Sequence, residues 1–254
     1  MKIFVTDKRK IFHYIGILFL ICTTFFVAGK FDYSIIETIA GGKLVPIYNV
    51  DTAEPKIALT FDSAWGAEDI DSILATLQEE DVKATFFVLG QWAEKYPEVI
   101  KKMVQEGHDV ANHSYSHPHI AALSYDEAKS EILKANETIE KISGKKNDLF
   151  RAPYGEYTDN VIMAANDLGL FTIQWDVDSL DWKNIGREAI VKRIVDRTKN
   201  GSIILMHNGT EDTAIALPDV IKKLKEKGFS FVKVSELIYS EDYKIESTGK
   251  QSKN

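Results

Sequence analysis

The chain has 254 residues, of which 44% are hydrophobic and 27% charged, a composition typical of a folded globular protein. Its formal net charge is -7, whereas surfaces that bind nucleic acid carry an excess of basic residues, so nucleic acid is not an expected partner. The single cysteine, Cys22, excludes a disulfide within the chain.

An apolar segment near the N-terminus is the first strong pattern along the chain. Residues 11–29 contain no Asp, Glu, Lys or Arg, and Lys8, Arg9 and Lys10 precede them. A helix of this length reaches about 28 Å, close to the thickness of a bilayer core. The basic flank predicts a membrane anchor that leaves the rest of the chain outside the cytoplasm. A cleaved signal peptide ending at Val27-Ala28-Gly29 is the alternative, in which case the protein is secreted.

Short β-rich runs alternate with helical patterns over most of the remaining chain. This alternation predicts an α/β domain of parallel strands with covering helices. We expect the domain to span residues 56–240, after residues 1–30 and a linker at 31–55 with an accessory strand at 44–50. Residues 241–254 are expected to be a polar, disordered tail. The predicted strands of the domain are 57–61, 84–88, 109–111, 148–150, 171–175, 202–206 and 229–232.

Three helices are predicted from their end signals and apolar faces. Ser124 and Glu127 have the spacing of a capping box, and Gly144 is a suitable stop. A second helix carries one apolar face over residues 92–104. A third helix is expected to open at Pro218.

Polar side chains able to do chemistry follow five of the predicted strands. Taken singly, each has an ordinary interpretation, such as a surface histidine or a carboxylate that caps a helix. The carboxyl ends of parallel strands meet on one face, however, where active sites form. The occurrence of such side chains after five different strands therefore predicts an active site at the rim formed by the carboxyl ends of the strands. The residues are Asp62, His113, His117, Arg151, Tyr154, Asp176, Asp178, Asp181 and His207.

The types of residue at this rim suit acid–base and metal chemistry. His113 and His117, as neutral imidazoles near a carboxylate, would suit Zn²⁺, with Co²⁺ or Ni²⁺ as alternatives. Asp62 could act as a general base. Asp181 could hold one ring nitrogen of His207 and raise its pKa, which would make His207 a general acid.

Five short motifs, taken together and in order, resemble the polysaccharide deacetylase family, the NodB homology domain of family four of the carbohydrate esterases. The resemblance runs from about residue 56 to residue 237. The variant Asp-Ser-Ala-Trp-Gly at positions 62–66 also resembles deacetylases of spore-forming bacteria. The motifs are Thr60-Phe61-Asp62-Ser63, His113-Ser114-Tyr115-Ser116-His117, Arg151-Ala152-Pro153-Tyr154-Gly155, Asp178-Ser179-Leu180-Asp181-Trp182 and Leu205-Met206-His207-Asn208.

The resemblance implies a fold, an activity and a set of roles. The fold would be a distorted barrel of about seven or eight parallel strands. The activity would be metal-dependent hydrolysis of N-acetyl groups on amino sugars of peptidoglycan or a related cell-wall polysaccharide. The implied roles are Asp62 as base, Arg151 orienting Asp62, His113 and His117 as metal ligands, the Tyr154 N–H at the oxyanion, Asp181 tuning His207 as acid, and Trp182 and Leu205 lining the acetyl pocket.

One position departs from the family's pattern. The family has a second aspartate after the base as its third metal ligand, and this chain has Ser63 there. A neutral hydroxyl is a poorer ligand than a carboxylate. Asp62 itself, Glu68 or Asp69 could serve instead, or the two histidines could bind metal weakly with water. Two rival functions stay open: an O-acetyl esterase on wall polysaccharide, and a catalytically inactive sugar-binding protein.

Overall fold

The computed structural model describes residues 43–254. The predicted N-terminal anchor or signal segment lies outside the described residues, so that prediction stays a prediction. Between residues 43 and 254, no helix combines the length and the apolar character needed to cross a membrane.

Strands and helices alternate through the described chain, with short 3-10 turns between some of them. The strands are β1 (Asn49–Val50), β2 (Lys56–Ser63), β3 (Thr85–Val88), β4 (Asp109–Asn112), β5 (Leu149–Phe150), β6 (Phe171–Thr172), β7 (Val177–Asp178), β8 (Ile203–His207), β9 (Ser230–Val232), β10 (Tyr243–Ile245) and β11 (Lys250–Lys253). The helices are α1 (Ile70–Glu79), α2 (Gly90–Lys95), α3 (Pro97–Gln105), α4 (Tyr125–Ser143), α5 (Asp159–Asp167), α6 (Arg187–Arg197), α7 (Thr213–Glu226) and α8 (Val234–Leu237).

Eight strands form the main sheet, and their pairings are parallel. The order is β6-β5-β4-β3-β2-β8-β7, with β9 beside the first half of β2. Within the described residues, the edge strands β6 and β7 do not pair with each other. The predicted α/β fold and its parallel strands are confirmed, but the sheet is a curled half-barrel rather than a closed barrel.

Strand β2 shows how the two faces of the sheet are used. Side chains alternate between faces along a strand. Ile57, Leu59 and Phe61 pack in the large core between sheet and helices, whereas Ala58 belongs to the smaller core on the inner side of the sheet. By the same alternation, Asp62 lies on the inner side at the carboxyl end of the strand. Each fully buried apolar side chain of these cores contributes about 1.5–3 kcal/mol of stabilisation.

The chain before β2 covers part of the open side of the half-barrel. The Ile47 N–H donates to the Thr172 carbonyl at 2.9 Å, and the Gln174 N–H donates to the Ile47 carbonyl at 2.7 Å. Three residues further on, the Val50 N–H donates to the Gly201 carbonyl at 2.9 Å. This segment therefore links the end of β6 to the chain that enters β8.

The C-terminal residues complete this cover, and the prediction that they form a disordered tail is wrong. Strand β11 pairs parallel to β1 and antiparallel to β10. The buried Gln251 side chain donates to the Tyr239 carbonyl at 2.7 Å and accepts from the Tyr239 N–H at 2.9 Å. The polar composition of this segment suggested disorder. Composition alone does not reveal the backbone pairing and the buried side-chain amide that hold the segment in place.

Two helix predictions need correction and one is confirmed. The capping box at Ser124 is present, and Gly144 ends α4 with a φ of 69°. The helix expected over 92–104 is two helices, because Pro97 has no N–H to continue the first and instead begins α3. Helix α7 begins at Thr213, so Pro218 lies inside it rather than at its start. The apolar face of α7 outweighs the one hydrogen bond that proline removes.

Candidate active site

Asp62 and Arg151 form a buried ion pair at the carboxyl end of the sheet. Arg151 Nη1 lies 2.6 Å from Asp62 Oδ1 and also donates to Thr60 Oγ1 at 2.9 Å. Its Nη2 donates to the Gln174 carbonyl at 3.2 Å, and the guanidinium lies 4.0 Å from the centre of the Phe87 ring. Arg151 is fully buried, so these contacts hold the carboxylate of Asp62 in one orientation. The predicted pairing of Arg151 with Asp62 is present.

The electrostatic surroundings keep Asp62 ionised. Burial alone would raise the pKa of its carboxyl group, but the charge and hydrogen bond of Arg151, joined by His113 and His207 when acid protonates them, outweigh burial and hold the pKa below its ordinary value. Asp62 is therefore a carboxylate at neutral pH. Its Oδ2, on the side away from Arg151, is the oxygen left to accept a proton.

His207 lies on β8 directly beside Asp62, since the two residues are partners in the strand register. Its Nδ1 is 2.7 Å from Asp181 Oδ1, and its backbone N–H donates to Asp181 Oδ2 at 2.7 Å. Burial alone would lower the pKa of His207, but the hydrogen bond and charge of Asp181 raise it above the ordinary value. With Nδ1 held by Asp181, a proton on Nε2 is available to a bound molecule.

Thr213 completes the support of this pair, and sequence reasoning missed it. Its hydroxyl donates to Asp181 Oδ2 at 2.6 Å, and the Trp182 N–H donates to Oδ1 at 2.9 Å. The Asp181 carboxylate, fully buried, therefore accepts four hydrogen bonds. The sequence did not indicate Thr213 as a site residue because α7 was expected to begin at Pro218. The hydroxyl–hydroxyl contact of Thr213 with Thr210, at 2.6 Å, depends on a turn that periodicity does not reveal.

The histidine pair lies on a loop at the same rim. His113 Nδ1 is 2.9 Å from the Arg151 carbonyl, which leaves Nε2 facing Asp62 Oδ2 at 3.6 Å. The His117 ring centre is 5.2 Å from that of His113, and His117 has a φ of 62°. Burial lowers the pKa of both rings, to about 4 for His117. Both are neutral at pH 7, the form in which imidazole binds a metal.

The side chains near these histidines do not complete a metal site. Across residues 43–254, no three His, Cys, Asp or Glu side chains are grouped so as to hold a metal ion. Glu68 Oε2 accepts from the Ala67 N–H at 2.9 Å, and Asp69 Oδ2 accepts from the Gly209 N–H at 2.9 Å. The structure therefore places Glu68 and Asp69, two of the three candidate third ligands, in other hydrogen bonds, whereas the third candidate, Asp62, has its Oδ2 3.6 Å from His113 Nε2.

Ser63 itself is fully buried, and its hydroxyl has no hydrogen-bond partner in the described chain. An orphaned hydroxyl at this position is a poor replacement for a carboxylate ligand. The residues present supply two imidazoles, and the carboxylate beside them, Asp62, is already paired with Arg151 through Oδ1, so they do not fit a complete metal site with three ligands of its own.

The other residues predicted from the sequence form two groups, those at or near the rim of the site and those that support the backbone around it. Tyr154, with a φ of 58°, and Trp182 are exposed at the rim, whereas Leu205 is buried in β8. Asp176 accepts from the Ile203 N–H at 3.0 Å, and Asp178 accepts from the Leu180 N–H at 2.8 Å. These two aspartates hold the backbone around β7 and β8 and take no part in the chemistry proposed below.

A parallel half-barrel with a charged base and a supported histidine at its rim has the layout of acid–base hydrolases. A family model described as polysaccharide deacetylase matches residues 49–173. Peptidoglycan-N-acetylmuramic acid deacetylase PdaA of Bacillus subtilis is 33% identical over 87% of this chain and 83% of its own length. The chain belongs to the polysaccharide deacetylase family, which confirms the resemblance of the five motifs.

Two further comparisons bear on substrate and activity. A peptidoglycan-N-acetylglucosamine deacetylase of Bacillus cereus is 37% identical over 70% of this chain, and the chain spans 66% of that relative's length. The crystal structure of a CE4 family pseudoenzyme from Bacillus anthracis matches with a TM-score of 0.73 at 38% identity, over 76% of this chain and 68% of that one. A mutant of that pseudoenzyme has restored enzymatic activity.

Proposed function

We propose that this chain removes N-acetyl groups from amino sugars of cell-wall peptidoglycan. The observation that carries the proposal is the placement of Asp62 and His207 side by side on β2 and β8, with the pKa of Asp62 lowered and that of His207 raised. One group is ready to accept a proton and the other to donate one. The named relatives, which act on N-acetylglucosamine or N-acetylmuramic acid of peptidoglycan, support the choice of substrate.

The reaction can be written in terms of these side chains. Asp62 takes a proton from a water molecule whose oxygen attacks the acetyl carbonyl carbon. The backbone N–H of Tyr154 is our candidate donor to the oxygen that becomes negatively charged. His207 gives its Nε2 proton to the amide nitrogen, and the C–N bond breaks. Acetic acid and a free amine leave.

A direct assay tests this proposal. The purified full-length chain is incubated with peptidoglycan and with N-acetylglucosamine oligomers, and the products are analysed by mass spectrometry. We expect loss of acetyl groups and the appearance of free amines. The double variant Asp62→Asn/His207→Ala is the control and should release no acetate. Release of O-linked acetate without new amines would contradict the proposal and favour an esterase.

A specific observation favours a second candidate, a sugar-binding protein without turnover. Ser63 supplies a neutral hydroxyl, without a hydrogen-bond partner in the described chain, where the family's pattern has a carboxylate ligand, and a pseudoenzyme is among the matching structures. Binding of glycan oligomers without any release of acetate by the wild-type chain would establish this second function.

Ser63→Asp is expected to increase the affinity of the chain for divalent metal. The new carboxylate would add an anionic ligand beside His113 and His117, and a carboxylate binds Zn²⁺ far better than a hydroxyl. Titration of the metal-free protein with Zn²⁺, for the wild type and for Ser63→Asp, measures the change. Ser63→Ala is the matched control and should bind like the wild type, since the hydroxyl is not needed. Equal affinity of Ser63→Asp and wild type would mean that another side chain already occupies the third position.

A further inference from the structure

Large aromatic side chains are exposed at the rim of the site. Between residues 43 and 254, those that stand out are Trp65, Tyr154 and Trp182, with exposed fractions of 64%, 53% and 56%. Each lies within three positions of a site residue along the chain. Leaving a large ring in water forgoes the hydrophobic stabilisation that burial would give. Tyr154 and Trp182 have roles that the family resemblance implies, whereas the exposure of Trp65 has no such explanation.

The backbone that carries Trp65 is held firmly in place. Asn208 Nδ2 donates to the Trp65 carbonyl at 3.2 Å and to the Gly66 carbonyl at 3.1 Å. Trp92 Nε1, from α2, donates to the same Gly66 carbonyl at 2.7 Å. Gly66 has a φ of 44°, which a residue with a side chain rarely adopts. The indole is therefore presented to solvent from a loop that Asn208, the residue after His207, holds in place. A ligand that binds the indole would not have to pay the entropy of ordering this loop.

The Trp65 ring lies beside the histidine pair. Its centre is 5.2 Å from that of His117, with the two rings inclined at 65°. His117 also contacts Tyr154, at 4.4 Å between ring centres and with the rings inclined at 69°. His117 in turn neighbours His113, which faces Asp62. Edge contact with a single ring leaves most of the indole open to a ligand that extends outward from the reacting centre.

We propose that the indole of Trp65 is a stacking platform for a sugar ring adjacent to the one that loses its acetyl group. This inference rests on the proposed function. The C–H bonds on a pyranose face are polarised positive and match the negative face of an aromatic ring, while the hydroxyl groups stay in water. The preferred substrate is then an oligomeric or polymeric glycan with at least one sugar beyond the deacetylated unit, rather than a monosaccharide.

Kinetics on two probes tests the platform. The probes are N-acetylglucosamine and its β-1,4-linked tetramer, and the variants are Trp65→Ala and Trp65→Phe. Trp65→Ala should raise KM for the tetramer roughly fivefold, since one aromatic contact is worth about 1 kcal/mol. Its kcat should stay within about twofold, and its kinetics on the monosaccharide should not change. Trp65→Phe keeps a smaller ring and should lose less.

Calorimetric titration with the tetramer separates this inference from the proposed function, because it needs no turnover. If the wild type binds the tetramer roughly fivefold more tightly than Trp65→Ala, the platform is supported, even where no acetate is released. Met163→Ala, which removes an exposed apolar side chain from α5, is the matched control and should bind like wild type. Equal affinity of wild type and Trp65→Ala, or no binding of the tetramer by wild type, overturns the proposal.

Discussion

Replacing His207 by alanine is expected to lower kcat by a factor of roughly 10²–10⁴, the usual contribution of a positioned general acid. The amine is a poor leaving group, and the other cationic side chain beside Asp62, Arg151, is fully buried and engaged in its own hydrogen bonds. The rate of amine release from N-acetylglucosamine oligomers measures the effect. His207→Gln is a matched variant that keeps a polar side chain but supplies no acidic proton. Retention of full activity by His207→Gln would show that His207 is not the acid.

The pH profile gives an independent check on the same group. The active form carries ionised Asp62 and protonated His207, so activity should fall at low pH and again at high pH. Because Asp181 raises the pKa of His207, Asp181→Asn should move the alkaline limb to lower pH. The stabilisation that this pair gives through His207 is complete below the ordinary pKa of histidine, and it is lost as pH rises through the raised pKa. An alkaline limb that stays in place in Asp181→Asn would contradict this assignment.

Replacing Arg151 by methionine is expected to destabilise the fold by about 3–5 kcal/mol, because it leaves the buried carboxylate of Asp62 without its main partner. Arg151 is fully buried and the Asp62 side chain is 7% exposed, so solvent screens this pair very little. The free energy of unfolding, from urea titration followed by circular dichroism, measures the loss.

The pH dependence of stability should change in the same variant. In the wild type the lowered pKa of Asp62 means that the pair stabilises the fold above the ordinary pKa of a carboxyl group, and less so as pH falls through the lowered value. In Arg151→Met the pKa of Asp62 should rise, so mild acid should cost the variant less stability than it costs the wild type. Adding Asp62→Asn to Arg151→Met should recover part of the lost stability. A double variant no more stable than the single one would show that the ion pair is not the cause.

Most of the site could be predicted from the sequence, because its residues follow local patterns. Asp62 and His207 each end an apolar strand run, and both strands form where β-rich residues predict them. The pairing of Asp181 with His207 was also expected. Thr213 could not be found in this way, since its contact with Asp181 joins residues 32 positions apart through a helix start that has no clear signal.

The remaining differences in the fold have a similar origin. Strand β7 has only two residues, Val177–Asp178, too few for a periodic pattern to stand out, and the run predicted at 171–175 ends as a strand at Thr172. The C-terminal strands are polar and gain their order from pairing with β1. Local composition predicts elements that are stable by their own propensity and burial pattern, and it misses elements that depend on distant partners.

The pairing of β1 with β11 constrains the order of folding. Asn49 lies near the start of the described chain and Lys250 near its end, and they are neighbours in one sheet. During synthesis or export the edge of β1 that faces β11 must wait for its partner until nearly all of the described chain has emerged. The strands from β2 to β8 can assemble earlier, since β3 to β6 each pair with the strand before them and β8 pairs with both β2 and β7. Pairing of β1 with β11 is therefore expected to be the last and slowest event, and an intermediate without it would leave one edge of β1 open to pairing with another chain.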